Sequence, residues 1–267
     1  MQRRKRLRLN VGPRLPVAAP STVTGRTVRR APGPSGKEDH MKYVVPAKRS
    51  SNRVPDKNFR PFANGLSLLD ILVTKLTAIA DDPSDVYLSS EEESTREVAD
   101  KYGASFLSRE RHLTENTYPF QSVVNQVCAQ LPGDDDVMWC HATDPLFDDH
   151  AAVVKAWESR DPAAGADSIV TVYPIRDYLL DPNFNPMGFG FGRWHKPSQQ
   201  LPTYYMLGFT CSIMTREVAT TIGLVGARPM WHEATNMTVD IDTQAEFDFA
   251  GKLYELTMAE RESNAGA

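Results

Sequence analysis

Long apolar runs are missing from this chain. No stretch of about 18 apolar residues offers a membrane span, and the basic N-terminus has no apolar segment behind its charges of the kind a secretory signal needs. Both absences predict a soluble, cytoplasmic protein. Cysteine is scarce too: Cys128, Cys140 and Cys211 are odd in number, far apart and without metal-type spacing, so neither a disulfide framework nor a zinc site is indicated and reduced core residues are expected. No internal repeat is present, and no Ser/His/Asp or Cys/His arrangement calls for a protein nucleophile. What is there is ordinary globular material. The 267 residues are 41% hydrophobic and 24% charged, enough to bury one sizeable core.

Charge becomes informative once the chain is divided. Residues 1–40 carry ten Lys/Arg against Glu38 and Asp39, a net of +8, which leaves 20 Lys/Arg against 32 Asp/Glu, or −12, for the remainder. The leading segment is rich in Pro, Gly, Ser, Thr and Arg and has too little apolar surface to offset the entropy of ordering, so it is expected to be a disordered basic extension. A nucleic-acid or membrane partner for that arm is disfavoured by the acidic body behind it. Because the first strand follows Met41 directly, translation is expected to begin there. Lys37-Glu38, encodable as a ribosome-binding sequence, lies at a suitable distance upstream. A domain over residues 41–260 and a disordered tail over 261–267 complete the expected organisation.

From Met41 onward, short β-rich runs alternate with longer helical ones, the pattern of an α/β domain on a mainly parallel sheet. Strands are expected at 42–47, 85–89, 137–142, 167–173 and 208–214. Helices fit between them at 66–80, 94–102, 119–131 and 150–159, with a last one starting near Thr243, where Thr243 and Glu246 have capping-box spacing. Residues 177–205 differ, carrying four prolines among glycines and aromatics. They read as an excursion from the sheet suited to a lid or a subunit contact.

Chemistry first surfaces after the first strand, in VPAKRSSNRVPDKN (Val45 to Asn58). Lys48, Arg49, Arg53, Lys57 and Arg60 put five cations in thirteen residues of an otherwise acidic domain, with Ser50, Ser51 and Asn52 as small polar donors. At the carboxyl end of a parallel strand, such a loop suits a polyphosphate; a solvated basic turn is the plainer alternative. Further on, Asp240 and Asp242 in VDIDTQAEFDFA lie two apart, so an extended backbone turns both carboxylates to one side, where a hard divalent cation beside phosphate would find them. Asp242 also suits a helix N-terminus on electrostatic grounds alone.

These segments together resemble the acylneuraminate (CMP-sialic acid) cytidylyltransferases. The loop is similar to their opening IPARxGSxRxPxKN signature through Pro46, Ala47, Ser51, Arg53, Pro55, Lys57 and Asn58, with Lys48 in place of an arginine. VYLSSEEESTREVADKYGASFLSR resembles the stretch that would place Arg109 near the base. CHATDPL stands where the family has LQPTSPL, so Thr143 matches, while His141 replaces the glutamine that reads the base and Asp144 replaces a serine. VDIDTQAEF resembles the DIDT segment.

The resemblance implies a three-layer, Rossmann-like nucleotide-diphospho-sugar-transferase fold and a homodimer. It also implies magnesium-dependent transfer of CMP from CTP to an acidic acceptor such as a 2-keto sugar acid. Nucleotide would be held by Ala47, Lys48, Ser51, Arg53, Lys57, Asn58, Arg109, His141 and Thr143, and metal by Asp240 and Asp242; Lys48, Lys57 and Asp242 would carry catalysis. The Asn-Gly pair that begins the family's sugar-lining strand becomes Leu207-Gly208, which leaves a phosphonate or other acid open as acceptor. A glycosyltransferase with an Asp-x-Asp metal site is the second class. The strongly basic loop argues against it, because a sugar diphosphate needs less positive charge than a triphosphate.

Overall fold

A computed structural model describes residues 41–49, 53–115, 117–236 and 238–265. The basic extension over 1–40 and the site candidate Ser51 lie outside the described residues. The elements run β1 (Lys42–Pro46), α1 (Leu68–Thr77), β2 (Val86–Ser90), α2 (Thr95–Tyr102), β3 (Ser105–Ser108), α3 (Phe120–Cys128), β4 (Val137–Cys140), α4 (His150–Glu158), β5 (Ser168–Ile175), β6 (Tyr204–Met214), α5 (Arg216–Thr221), β7 (Pro229–Glu233) and α6 (Gln244–Ala265). The strands form one seven-stranded sheet in the order β3-β2-β1-β4-β6-β5-β7. Only β6 runs against its neighbours, so the expected mainly parallel α/β sheet is what forms.

Period-two alternation explains the layers. In β1, Tyr43 and Val45 enter one core with α1, α2, α4 and α6, while Val44 enters a second with α3 and α5; in β4, Met138 and Cys140 face the first and Val137 and Trp139 the second. Central strands covered on both faces therefore read as unbroken apolar runs. Helix starts are locally encoded. Ser67 and Asp70 exchange side-chain-to-backbone bonds of 2.9 and 3.1 Å to begin α1, and Thr243 and Glu246 do the same at α6 with bonds of 2.7 and 3.3 Å.

Three elements absent from the sequence-based reading are β3, β7 and α5. The two strands are the edges of the sheet, short and of mixed polarity, and α5 has only six residues. The tail expected over 261–267 is instead helical as far as Ala265, because α6 continues and Arg261 pairs with Asp148. All three cysteines are buried and free, as expected of core thiols. Among the described residues no helix is long and apolar enough to cross a membrane.

The topology places the site. The chain builds β2 and β3 on one side of β1 and then returns to lay β4 on the other side, so the loops after β1 and β4 leave the sheet side by side at its carboxyl edge. Strand β6 comes back antiparallel beside β4 and carries an irregularity there. Pairing shifts from Val170↔Ser212 to Val172↔Leu207, with Phe209 at φ +50°. At this bulge the ring of Tyr173 lies over Gly208, where a Cβ would meet Tyr173 Cε2 at 2.2 Å.

Candidate active site

Between the loops after β1 and β4 opens a cleft of about 450 Å³, a usual size for a small-molecule site. Seven of the residues singled out in sequence reach its wall: Lys48, Asn58, Arg109, His141, Thr143 and the pair Asp240 and Asp242 beside them. Their neighbours Pro46 and Lys48 line it while Ala47 is fully buried in the core and gives its N–H to Ser89, so its side chain has nothing to offer a ligand.

The cations of the first loop divide. Lys48 donates to the carbonyl of Thr114 and faces the cleft. Arg53 grips Asp242 with bonds of 2.8 and 2.7 Å. Lys57 is buried, donates to the carbonyl of Ile241 and stands 3.7 Å from Asp242. Burial lowers the pKa of Lys57, and Asp242 and Asp240 oppose that shift. Arg49 and Arg60 point elsewhere, contrary to the reading of one five-cation cluster. Arg49 bonds Ser94 and lies over Phe59, and Arg60 lies 3.9 Å over Phe247 and bonds Gln244.

The carboxylates are tied to the β4 loop. Ile241 N–H donates to the Thr143 carbonyl at 2.8 Å, which brings the irregular segment of residues 240–242 alongside residues 141–144. Burial raises the pKa of Asp240; a hydrogen bond from Thr143 opposes the rise and the charge of Asp242 adds to it. Among the described residues no group of three or more His, Cys, Asp or Glu side chains is gathered for a metal. Asp144 accepts from Tyr173 at 2.7 Å and from Thr210 at 3.0 Å, so this replacement for a serine braces β4 against the bulge.

At the other end, Arg109 is buried and pairs with Glu91 at 3.2 Å, with its Nε lacking a hydrogen-bond partner among the described residues. Burial lowers its pKa and Glu91 resists the shift. His141 accepts a 2.9 Å bond at Nε2 from Trp139 Nε1, and burial, helped by the charge of Lys57, pushes its pKa down to about 4. Sequence reasoning missed the wall formed by Leu113, Tyr118, Phe120 and Trp139, and missed Glu91 behind Arg109. The signal available was the Tyr118-Pro119-Phe120 triplet at a helix start, whose aromatics read as core.

A family model described as cytidylyltransferase matches residues 43–185, more than half of the chain and the part that contributes both loops of this cleft. The chain belongs to the cytidylyltransferase family. Finer membership among the acylneuraminate enzymes is not part of that match. A comparison with curated proteins finds no match. Among solved structures, this cytidylyltransferase is similar to a CMP:2-keto-3-deoxy-manno-octonic acid synthetase complexed with CTP, with a TM-score of 0.57 at 12% identity over 83% of this chain and 99% of that one. It is also similar to the 4-diphosphocytidyl-2C-methyl-D-erythritol synthase from Anaerococcus prevotii, with a TM-score of 0.55 at 10% identity over 81% and 99%. At such identities the likeness is one of fold.

Proposed function

We propose that this enzyme transfers a cytidylyl group from CTP to an acidic small molecule, such as a sialic-acid-like 2-keto sugar acid, releasing pyrophosphate in a magnesium-dependent reaction of nucleotide-sugar biosynthesis. The observation that carries the reading is the meeting in one cleft of Lys48, Asn58, Arg109, His141 and Thr143 with the carboxylates of Asp240 and Asp242. CTP is the printed ligand of one structural relative, and both relatives are named for cytidylyl products.

The donor set fits magnesium. Two hard carboxylates share the cleft, burial and the charge of Asp242 weigh against the ionised form of Asp240 in a way a cation would offset, and magnesium takes one or two carboxylates while phosphate oxygens and water complete its shell. Asp240 and Asp242 would hold it, and when bound it neutralises charge on the reacting phosphate. The residues of the chain do the rest. Lys48 and Lys57 offset the charge of the departing pyrophosphate, Arg53 exchanges its carboxylate for phosphate oxygens, and Arg109 and His141 fix the base. An acceptor oxygen attacks the α-phosphorus as the bond to the β-phosphate breaks, with attacking and leaving oxygens in line. Positioning and charge supply the catalysis, so no protein nucleophile is required.

One observation favours a second acceptor. Leu207, in place of the asparagine of sialic acid enzymes, lines a hollow with Val172, Tyr205, Trp231 and Glu233 and has no amide to offer sugar hydroxyls, which leaves room for a less hydroxylated acceptor such as a phosphonate. The exposure of Phe184, Phe191 and Trp194 in the excursion supports a homodimer whose contact includes part of residues 177–205. Incubation with each nucleoside triphosphate, magnesium and a panel of sugar and phosphonic acids, following pyrophosphate, tests the reading. Release from CTP with one acid supports it, whereas release from another triphosphate alone overturns it. Light scattering on the same preparation should give twice the mass of the chain.

A further inference from the structure

Trp139 and His141 lie two apart where β4 ends, so the alternation of an extended backbone sets both rings on the α3 side of the sheet. Trp139 is fully buried, while His141 reaches the cleft wall beside Phe120, with ring centroids 5.9 Å apart. The backbone of His141 is pinned as well, its N–H donating to the Thr210 carbonyl at 3.0 Å. Between the two rings runs one bond of 2.9 Å from Trp139 Nε1 to His141 Nε2. An indole nitrogen can only donate, so the imidazole nitrogen it meets must present a lone pair. A neutral imidazole carries one proton, and here that proton belongs on Nδ1. Among the described residues no hydrogen bond engages Nδ1.

We propose that Trp139 is a positioning residue that locks His141 as a hydrogen-bond donor through Nδ1, and that this fixed donor selects cytosine over uracil. The inference rests on the reading that the cleft binds CTP with its base at His141. Cytosine and uracil share the O2 acceptor and differ at ring N3, which accepts in cytosine and donates in uracil. A donor held against N3 pairs with the first and opposes the second. An unlocked imidazole would lose that preference, because its proton could move to Nε2 and leave Nδ1 to accept from uracil N3–H. Trp139 prevents the exchange: a proton on Nε2 would face the indole N–H, donor against donor, in a buried place where a mismatched pair is costly. Glutamine at this position, as in the sialic acid enzymes, can turn its amide and needs no such lock; histidine does.

Two measurements separate this inference from the reading beneath it. Long-range 1H–15N spectra of the full chain report, without nucleotide, which nitrogen of His141 is protonated. We expect a protonated Nδ1 and a bare Nε2 at neutral pH, with the proton moving at least partly to Nε2 in Trp139→Phe. A wild-type His141 protonated on Nε2 overturns the inference whatever the enzyme turns over. Initial rates of pyrophosphate release with CTP and with UTP form the second arm. The ratio of kcat/KM values should favour CTP in the wild type and narrow by about 10-fold to 100-fold in Trp139→Phe, chiefly through gained use of UTP. An unchanged ratio in the folded variant overturns the selectivity while leaving cytidylyl transfer standing. A wild type that uses both nucleotides alike overturns the base reading and the selectivity together. Should Trp139→Phe fail to fold, benzothienylalanine at position 139 keeps the indole shape without its N–H and is held to the same outcomes.

Discussion

Arg53 grips both oxygens of Asp242, Nη1 lying 2.8 Å from Oδ2 and Nη2 2.7 Å from Oδ1, although 189 residues separate the two in sequence. The pair, with the bond from Lys57 to the Ile241 carbonyl, links the basic loop after β1 to the carboxylate segment before α6. Both side chains are well exposed, at 66% and 42%, so the bond is worth little to stability and is easily exchanged. That suits a carboxylate that gives up a guanidinium to take a metal ion, and a guanidinium that turns to phosphate.

Asp242→Asn should therefore fold normally and lose turnover. Removing one carboxylate from the proposed magnesium site should lower kcat by about 100-fold or more, since the charge that stabilises the transition state goes with it. Thermal melts and rates of pyrophosphate release over a magnesium titration check this. Wild-type rates at saturating magnesium would remove Asp242 from the mechanism.

Lys57 is a different case. As a lysine on a loop it would be expected to be dispensable for folding, but it is buried and bonds the Ile241 carbonyl, so Lys57→Ala removes a structural bond as well as the proposed phosphate contact. The expected result is impaired use of triphosphate together with a loss of about 1–3 kcal/mol of stability from the unsatisfied carbonyl. Urea unfolding and steady-state kinetics measure the two effects separately. Unchanged kinetics in a destabilised protein would reduce Lys57 to a structural role.

Glu91 holds the Arg109 end of the cleft. It pairs with buried Arg109 at 3.2 Å and accepts the backbone N–H of Arg49 at 3.3 Å, joining the proposed base side of the site to the first loop. Glu91→Gln leaves the guanidinium buried without its counter-charge, a change that typically costs about 3–5 kcal/mol. The KM for CTP should rise more than kcat falls, because the loss is one of ground-state binding. A lowered kcat at unchanged KM would argue that Arg109 acts on the reacting phosphate instead.

The fold was largely legible because the central strands are covered on both faces, which writes β1, β4 and β5 into the chain as dense apolar runs. Edge strands β3 and β7 have no such signature. The site divides in the same way. Cations crowded into an acidic domain, and Asp240 and Asp242 at strand spacing, announce themselves by chemistry that a core would not tolerate. Glu91 is hidden as the first of three consecutive acids, where only the structure shows that Glu91 turns inward while Glu92 and Glu93 do not. Tyr118, Phe120 and Trp139 are hidden because an aromatic beside a ligand and an aromatic in a core look alike in sequence.

His141 makes a pH prediction. Its folded pKa of about 4 lies below the ordinary value of 6.5, so the unfolded chain takes up the proton first as pH falls. This group thus costs the fold stability progressively from about 6.5 down to about 4, and nothing further below. The His141 ring should show no inflection in an NMR titration above pH 5.5. Urea midpoints of wild type and His141→Gln should diverge between pH 7 and pH 4.5, with the wild type losing more. An inflection near neutrality would contradict the partly buried, neutral ring described above.

The central claim is tested most directly at the product. Mass spectrometry of a reaction holding the enzyme, CTP, magnesium and a panel of 2-keto sugar acids and phosphonic acids should find one acid heavier by a cytidylyl group, an equal amount of pyrophosphate, and neither when magnesium is chelated. An acid carrying a phosphoryl or pyrophosphoryl group in its place, or a sugar transferred intact from a nucleotide sugar added to the same mixture, would contradict the account.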